Sequence, residues 1–435
     1  MLDPHPHPHP QPALPEHHVR PRHGWLNDPN GMTRHGGRWH VFYQHNSSAA
    51  VHDRIEWGHV SSPDLVRWTE HPVAFSPTDD GPDRLGCWSG VFVPGLDRPA
   101  VAYSGIVDTA LTSTVCLRWA TDDDLDEWTE PVVVAATPQA HGVRVMRDPF
   151  VFRHGDRRWA LIGAGLEDGT PAVLLYDCED ILAWRYVGLW LTHADPVARQ
   201  AAPADIWECP QLVQTGDGTA LILSVQTDGR LDRAVWLVGD LGSDQDGRPT
   251  FAPRAGGDLD AGDALYAPQV LHDSPAPLLL GWVRQDGVPA DPESPDLDLV
   301  AGCLSFPRRL TVEDGRVVSR LDPAVDTLVC DEASGKVAPG SSAVVDGSGR
   351  VRVAAGPGAW RLRGREGTVG ADVGAGWDLW IDGEVVEAYP HDGGTPATWR
   401  QVGTTSWTVE VDDAPAHVSP LVPSVAVRSE GRARA

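Results

Sequence analysis

One short motif, an aspartate four residues before a tryptophan, recurs along the first half of the chain. It stands at residues 64–68, 124–128 and 180–184, so that its tryptophans are 60 and 56 residues apart. Each copy precedes a run typical of an outer strand, such as TEPVVV at 129–134. A repeat of this length with several short strands is typical of a β-propeller blade. The pattern therefore predicts a radial stack of similar sheets.

Strand-like stretches lie between these motifs, and they follow turns rich in glycine or aspartate. They are HVFYQ at 40–44, PAVAY at 99–103, RWALI at 158–162 and TALIL at 219–223. Helical periodicity is nearly absent. The chain is therefore predicted to be all-β.

Three acidic residues share the phase of the repeat: Asp28 in WLNDPNG, Asp148 in RDP and Glu208 in ECP. They stand 120 and 60 residues apart. Positions counted from Asp28 in steps of sixty residues also include the WS pair at 88–89 and come close to Tyr266. Because the first strand of each blade surrounds the central channel of a propeller, these points predict five blades whose first strands face one another.

The chain is predicted to divide into four parts. After about residue 322 the composition shifts to Gly, Val and Ser with short alternating runs, which favours a sandwich. Alternating proline in HPHPHP prevents helix and sheet, although its histidines leave metal binding open as an alternative. The predicted parts are a disordered His/Pro-rich tail at 1–15, a five-bladed β-propeller at 16–320, a C-terminal β-sandwich at 321–425 and a tail at 426–435.

Charge and cysteine content limit the class of partner and the compartment. The net charge of −26 disfavours nucleic acid, anionic membranes and polyanionic substrates. Six scattered cysteines without a CxxC motif fit a reducing compartment. The first residues lack a signal-peptide pattern, and no apolar run reaches the ~20 residues of a membrane span. A cytoplasmic protein with a small-molecule or oligosaccharide substrate is expected, and the oligomeric state is left open.

Each acid is coupled to a proline, which is expected to end an inner strand and aim the carboxylate into the channel mouth. Taken singly, DPNG is also a strong turn sequence. Three acids in one pocket repel each other, so at least one carboxyl pKa should be raised enough to keep a proton near neutral pH. Glycoside hydrolysis needs this division between an ionised and a protonated carboxyl.

Further motifs follow in a fixed order and make the pattern specific. They are FYQ at 42–44, WGH at 57–59, WSG at 88–90, YAPQ at 266–269, GW at 281–282, LSFPR at 304–308 and IDGEVVE at 381–387. Together with the three acidic motifs, this set resembles glycoside hydrolase family 32, the β-fructofuranosidases, which include invertases, sucrose-6-phosphate hydrolases, levanases and inulinases. The resemblance runs from about residue 16 to about residue 390 and implies the same five-bladed propeller and β-sandwich.

The resemblance also implies roles for individual residues. Asp28 would be the nucleophile and Glu208 the general acid/base. Asp148 would hold fructosyl hydroxyls and stabilise the oxocarbenium-like transition state, with Arg147 beside it as a substrate-binding residue. Cys209 would set the pKa of Glu208, or else be a small buried residue. The other residues expected to bind substrate are Trp25, Asn27, Gln44, Trp57, Trp88, Ser89, Tyr266 and Trp282.

The implied activity is retaining hydrolysis of terminal, non-reducing β-D-fructofuranosyl units of sucrose or short fructo-oligosaccharides. A fructosyltransferase or a fructanase of the levan or inulin type would use the same site. A five-bladed arabinosidase or xylosidase and a sugar-binding propeller without chemistry are further alternatives. No cofactor and no metal at the acids are expected, so activity should survive a chelator.

The chain departs from the family at three places. His52 stands near the position of a tryptophan that many members carry, WSGV replaces the sequence Phe-Ser-Gly-Ser at 88–91, and the C-terminal domain is short. The first departure would affect the leaving-group side of the site.

Overall fold

The computed structural model describes residues 14–110, 112–272, 276–285, 299–330, 334–346, 350–404, 406–422 and 427–428. The regular secondary structure of this part of the chain is almost entirely β-strand, as predicted, with one short helix and one 3₁₀ helix. Among these residues no helix has both the length and the apolar character that a membrane span requires.

From residue 24 to residue 321, most of the described strands pair antiparallel with strands that are close in sequence. The first two sheets contain β1 (Gly24–His35), β2 (Arg38–Asn46), β3 (Glu56–Ser62) and β4 (Thr69–Glu70), then β5 (Gly86–Phe92), β6 (Ala100–Ile106), β7 (Ser113–Trp119) and β8 (Val132–Ala136). The third contains β9 (Val143–His154), β10 (Arg157–Leu166), β11 (Pro171–Asp177) and β12 (Arg185–Thr192), and helix α1 (Pro196–Ala201) follows it.

Two further sheets complete this region. The fourth contains β13 (Ile206–Thr215), β14 (Gly218–Thr227), β15 (Arg230–Ser243) and β16 (Pro249–Asp258). The fifth contains β17 (Leu265–Leu271), β18 (Leu278–Val283), β20 (Cys303–Leu304), β21 (Arg308–Glu313) and β22 (Arg316–Leu321), while β19 (Val300–Ala301) crosses to the first sheet.

The first strands of these sheets form a ring. Strand β1 contacts β5, β5 contacts β9, β9 contacts β13, β13 contacts β17, and β17 contacts β1 again. Strand β19 pairs in parallel with β1, with Gly24 opposite Val300. The sheets therefore radiate from a central channel, which is the arrangement of a β-propeller.

The Asp-x-x-x-Trp motifs lie in the loops before the outermost strands β4, β8 and β12. Asp64 accepts hydrogen bonds from the backbone N–H groups of Val66 and Arg67 at 3.1 and 2.8 Å. The indole of Trp128 donates to the carbonyl oxygen of Leu125 at 3.0 Å, three residues earlier. The copies at 64–68 and 180–184 are thus turns capped by their own aspartate, whereas Asp122 caps the turn of the copy at 124–128. The predicted outer strand at 129–134 is confirmed in part, since β8 begins at Val132.

The first strands share a β-bulge at the same point of the repeat. At 27–28, 88–89, 148–149, 209–210 and 267–268, two residues oppose a single residue of the second strand. The expectation that each proline ends an inner strand is wrong, because β1, β9 and β13 continue beyond it. A bulge leaves a residue outside the hydrogen-bond ladder, so Pro149 and Pro210 fit there without an N–H.

The remainder of the chain forms two packed sheets. After the 3₁₀ helix Pro323–Leu328 come β23 (Gly335–Val337), β24 (Ser341–Asp346), β25 (Arg350–Ala355), β26 (Gly358–Gly364), β27 (Gly367–Gly374), β28 (Trp377–Asp382), β29 (Val385–Pro390), β30 (Ala397–Arg400), β31 (Ser406–Val411) and β32 (Ala416–Pro420). One sheet has the order β23-β32-β25-β28-β29-β30 and the other β24-β31-β26-β27. Both contribute side chains such as Leu379 and Val409 to one apolar core, as in a β-sandwich.

A buried charge network joins the propeller to the sandwich. Arg308 on β21 donates to Glu387 on β29 at 2.6 Å and to Asp260 at 2.8 Å. His18 contacts Asp382 at 2.8 Å and Glu387 at 3.1 Å. Burial lowers the pKa of His18, but hydrogen bonds to the two carboxylates outweigh it and raise that pKa to about 9. We therefore take His18 as an imidazolium at neutral pH.

The two predicted tails fall mostly outside the described residues. Of residues 1–15, only 14 and 15 are described, and the histidines of the His/Pro tract lie outside. Within 426–435, β33 (Val427–Arg428) pairs in parallel with β4, so the expectation of a tail is wrong for these two residues. Strand β4 is the outermost strand of its blade-like sheet, so its outer edge offers them backbone hydrogen-bonding groups.

Candidate active site

A cavity of about 600 Å³ opens where the first strands of the ring meet. The carboxyl groups of Asp28, Asp148 and Glu208 line it together. All three residues are buried, with exposed fractions below a tenth. The bulged first strands thus bring together the three acids that the sequence spacing placed in phase.

Asp28 is surrounded by donors. The hydroxyl of Ser89 donates to its Oδ2 at 2.5 Å, and the amide of Gln44 donates to the same oxygen at 3.1 Å. Asn27 donates to Oδ1 at 3.0 Å. Burial and the charge of Glu208 raise the pKa of Asp28 to about 6, against the hydrogen bonds from Ser89 and Asn27. Asp28 is therefore ionised at neutral pH, with donors that orient both oxygens.

Asp148 lies in the bulge of β9 with a positive φ of 62°. Its backbone N–H donates to Ser104 Oγ at 2.8 Å, and its Oδ2 accepts from the N–H of Cys209 at 3.1 Å. Burial, followed by the charges of Glu208 and Asp28, raises its pKa to about 8, although Arg147 opposes the shift. Burial and, to a smaller extent, the neighbouring carboxylates thus raise the pKa of both Asp148 and Asp28, in the direction predicted for a crowded pocket.

Glu208 is held at both oxygens. Arg147 Nε donates to Oε1 at 2.8 Å, and the hydroxyl of Tyr266 donates to Oε2 at 2.6 Å. Burial and the charge of Glu208 raise the pKa of Tyr266 well above its ordinary value, so this hydroxyl keeps its proton. Tyr266 therefore contacts a cavity acid directly.

Cys209 contacts the other two acids. Its Sγ lies 3.7 Å from Asp28 Oδ2 and 3.5 Å from Asp148 Oδ2. Burial and the neighbouring carboxylates raise its pKa well above the ordinary value, so the thiol is neutral and can donate. The expected action of Cys209 on Glu208 is thus replaced by contacts with Asp28 and Asp148. Cys209 follows Glu208 in the bulged strand, and its positive φ of 47° accompanies this change in side-chain direction.

Aromatic rings form one wall of the cavity. Trp25 packs edge-on against Trp282 with ring centroids 5.6 Å apart, and its indole donates to Asn27 at 2.7 Å. The ring of His52 contacts two of the tryptophans, with its centroid 5.2 Å from that of Trp88 and 6.2 Å from that of Trp25. The predicted residues Trp25, Trp88 and Trp282 all line the cavity.

Trp57 does not reach the cavity, which corrects the expectation that it binds substrate. It is fully buried between Phe42, Phe75 and Tyr103, because β3 lies two strands outward from the channel. Its indole donates to the carbonyl oxygen of Trp88 at 3.2 Å and so supports the bulge of β5. Ser89 reaches the site through its hydrogen bond to Asp28.

Several cavity residues were not predicted from the sequence. His52 was noted only as a departure from the family, and it lines the cavity with its Nε2 3.3 Å from Gln44 Oε1. The others are Ala110, Arg144, Val145, Asp205, Ile206, Gln226, Gly229, Leu231 and Gln285. Arg144 and Asp205 come a few residues before acids on first strands, which is the one signal that could have found them.

Residues 18–320 match the family described as Glycosyl hydrolases family 32 N-terminal domain. Sucrose-6-phosphate hydrolase of Escherichia coli is 31% identical over 329 residues, which are 70% of this chain and 64% of that protein. Raffinose invertase of Escherichia coli is 30% identical over 72% of this chain and 66% of that protein. The chain thus spans slightly less than two thirds of the length of these relatives.

Solved structures share the fold. A GH32 β-fructofuranosidase of Bombyx mori aligns with a TM-score of 0.78 at 22% identity, covering 95% of each chain. Sucrose-6-phosphate hydrolase of Lactobacillus gasseri aligns with a TM-score of 0.77 at 21% identity, covering 95% of this chain and 94% of that one. The likeness extends over both the propeller and the sandwich.

Proposed function

Because the chain belongs to glycoside hydrolase family 32, we propose that it is a retaining β-fructofuranosidase. It would release terminal, non-reducing β-D-fructofuranosyl units from sucrose or short fructo-oligosaccharides. The observation that carries this proposal is the convergence of Asp28 and Glu208 in one cavity, each with its own set of donors. We further propose that each of the five N-terminal sheets is a blade of a five-bladed propeller, within the domain bounds predicted from the sequence.

The arrangement suits a double displacement. Asp28, ionised and oriented by Ser89, Gln44 and Asn27, would attack the anomeric carbon of the fructosyl unit. Glu208 would first protonate the leaving oxygen and then take a proton from the water that opens the fructosyl-enzyme. Burial and the neighbouring carboxylates raise the pKa of Asp148, so the carboxyl cluster retains a shared proton at neutral pH, and Glu208 would pass this proton to the leaving oxygen.

The size of the cavity favours a short substrate. A volume of about 600 Å³ lies within the usual range for small-molecule sites. The relatives are named for sucrose 6-phosphate and raffinose, both of which carry a sucrose unit. Fructosyl transfer and fructan hydrolysis would use the same carboxyls, so the acceptor and chain length distinguish them from sucrose hydrolysis. The assignment to the cytoplasm stays a prediction.

The proposal can be tested by incubating the purified protein with each of six substrates: sucrose, sucrose 6-phosphate, kestose, inulin, levan and arabinan. We expect fructose release from sucrose or its short relatives, faster than from inulin or levan. Release of no fructose from any of these compounds would overturn it, and arabinose release alone would favour the arabinosidase alternative.

The stereochemical outcome is a first prediction. If Asp28 attacks directly, with the two carboxyls about 5–5.5 Å apart, no water fits between it and the sugar. The first product should then be β-fructofuranose, with retained configuration. Proton NMR within the first turnovers measures this before mutarotation. Initial formation of the α-anomer would contradict the assignment of Asp28 as nucleophile.

The pH dependence of kcat/KM is a second prediction. Activity should fall as the pH drops below about 6, because Asp28 becomes protonated. It should also fall as the pH rises above about 8, because the cluster loses the proton held by Asp148. Ser89→Ala removes a hydrogen bond to ionised Asp28, so the acid limb should move to higher pH. An acid limb unchanged in Ser89→Ala would argue that another group titrates.

His52 gives a third prediction, on substrate preference. Its ring lies between Trp25 and Trp88 in the cavity wall, on the side proposed for the leaving group. His52→Trp should change the ratio of sucrose to kestose turnover by about threefold or more. Inhibition by free fructose should change less than the turnover ratio, because Asp28 and Asp148 are untouched and His52 reaches the proposed fructose subsite through its contact with Gln44. An unchanged turnover ratio would place His52 outside the leaving-group subsite.

A further inference from the structure

A second group of ionisable side chains lies away from the cavity, between the first and second sheets. His59 on β3 and His71, just after β4, belong to the first sheet. Asp126 belongs to the loop between β7 and β8 of the second sheet. Because these residues come from different sheets, whatever holds them together also joins the two sheets.

The three side chains converge on one point. His59 Nδ1 lies 3.0 Å and His71 Nδ1 lies 2.9 Å from the same oxygen, Asp126 Oδ1. The three atoms all lie within 4.8 Å of one another. We propose that His59, His71 and Asp126 form a binding site for a divalent transition metal of the zinc type. Two imidazole nitrogens and one carboxylate oxygen are ligands that this class of ion prefers.

The groups behind the ligands support this site. A histidine that binds a metal through Nδ1 carries its proton on Nε2, and that N–H needs an acceptor. His59 Nε2 lies 2.9 Å from His40 Nδ1, and His71 Nε2 lies 2.7 Å from Ser61 Oγ. Both acceptors are therefore in place for the tautomers that metal binding requires.

The site combines a rigid side with an open side. The side chain of His59 is fully buried, whereas those of His71 and Asp126 are 15% and 26% exposed. An ion can therefore reach the ligands from solvent, and a water molecule can complete a tetrahedral set. None of the three residues lines the catalytic cavity.

The same contacts also form without a metal if both Nδ1–H groups donate to Asp126. The two states differ in their tautomers and in their response to added ion. A metal that binds the folded chain and not the unfolded chain raises the melting temperature. It should leave sucrose turnover unchanged, because the cavity acids are elsewhere.

The test uses the full chain after removal of metal with a chelator. Zn²⁺ should raise the melting temperature by a few degrees with one equivalent bound, whereas Mg²⁺ should not. Co²⁺ should give the intense visible absorption of a tetrahedral site with nitrogen ligands. Absence of both the Zn²⁺ shift and the Co²⁺ absorption would overturn the proposal.

Variants assign the site. His71→Gln and Asp126→Asn should each abolish the Zn²⁺ shift and the Co²⁺ absorption. His391→Gln, which removes an exposed histidine 3.2 Å from Asp378, is the matched control and should retain both. A combined His5→Ser, His7→Ser and His9→Ser variant should also retain both. Loss of the signals in that variant, with retention in Asp126→Asn, would place the ion on the N-terminal histidines and reject the site.

Discussion

Asp28→Asn should lower kcat/KM for sucrose by about 10⁴-fold or more while the protein stays folded. The amide cannot act as a nucleophile, although it fits the same space between Ser89, Gln44 and Asn27. Thermal unfolding should be no easier than in the parent, because the carboxyl is buried at a raised pKa and its charged form is disfavoured. Steady-state kinetics and calorimetry on the same preparation measure both effects.

Glu208→Gln is the matched variant for this experiment. It should lower sucrose turnover by about 10²–10⁴-fold, since the leaving oxygen would depart without a proton. β-Fructosyl fluoride needs no such proton, so Glu208→Gln should keep much of its activity on that substrate and Asp28→Asn should not. Turnover of sucrose by Asp28→Asn at a tenth of the parent rate would refute the assigned roles.

Arg308→Met should cause the largest loss of stability. The Arg308 guanidinium is fully buried and donates to Glu387, Asp260 and Thr398. Its removal leaves two buried carboxylates without their shared cation, and breaking a buried ion pair in this way costs about 3–5 kcal/mol. We expect a clearly lower urea midpoint and earlier separation of the propeller from the sandwich.

The control for Arg308→Met is Arg320→Met. Arg320 pairs with Glu313 at 2.6 Å, but the two side chains are 50% and 40% exposed. A solvated pair of this kind contributes about 0–1 kcal/mol. If the two substitutions lowered the free energy of unfolding by the same amount, burial would not explain how much the Arg308 network contributes to stability.

Much of the fold follows from the sequence repeat. The recurrent Asp-x-x-x-Trp turn marked the outer strands, and the stretches 40–44, 99–103, 158–162 and 219–223 became second strands of sheets. The pairing of β19 with β1 and of β33 with β4 could not be predicted. These parallel contacts involve two residues each and leave no periodic pattern.

The site was predicted only in part, because side-chain direction depends on the bulges. Asp28 is the second residue of its bulge, Asp148 the first, and Glu208 precedes its bulge. Spacings of 120 and 60 residues hide this offset, which is one position from each acid to the next and decides where Cys209 points. The expectation that Trp57 binds substrate was wrong for a related reason. A motif beside the site can support the site from the protein core without contacting the cavity.

The contacts of Glu16, His17 and His18 affect how the protein is made. Their backbone N–H groups donate to Asp382 at 2.9, 2.8 and 3.1 Å, and His18 and Asp382 are 364 positions apart. At about 5–20 residues per second, a ribosome needs roughly 20–70 seconds to cover that interval. The segment that leads into β1 therefore emerges long before its acceptor. During translation the backbone N–H groups of residues 16–18 stay without these partners until β28, which ends at Asp382, has been synthesised.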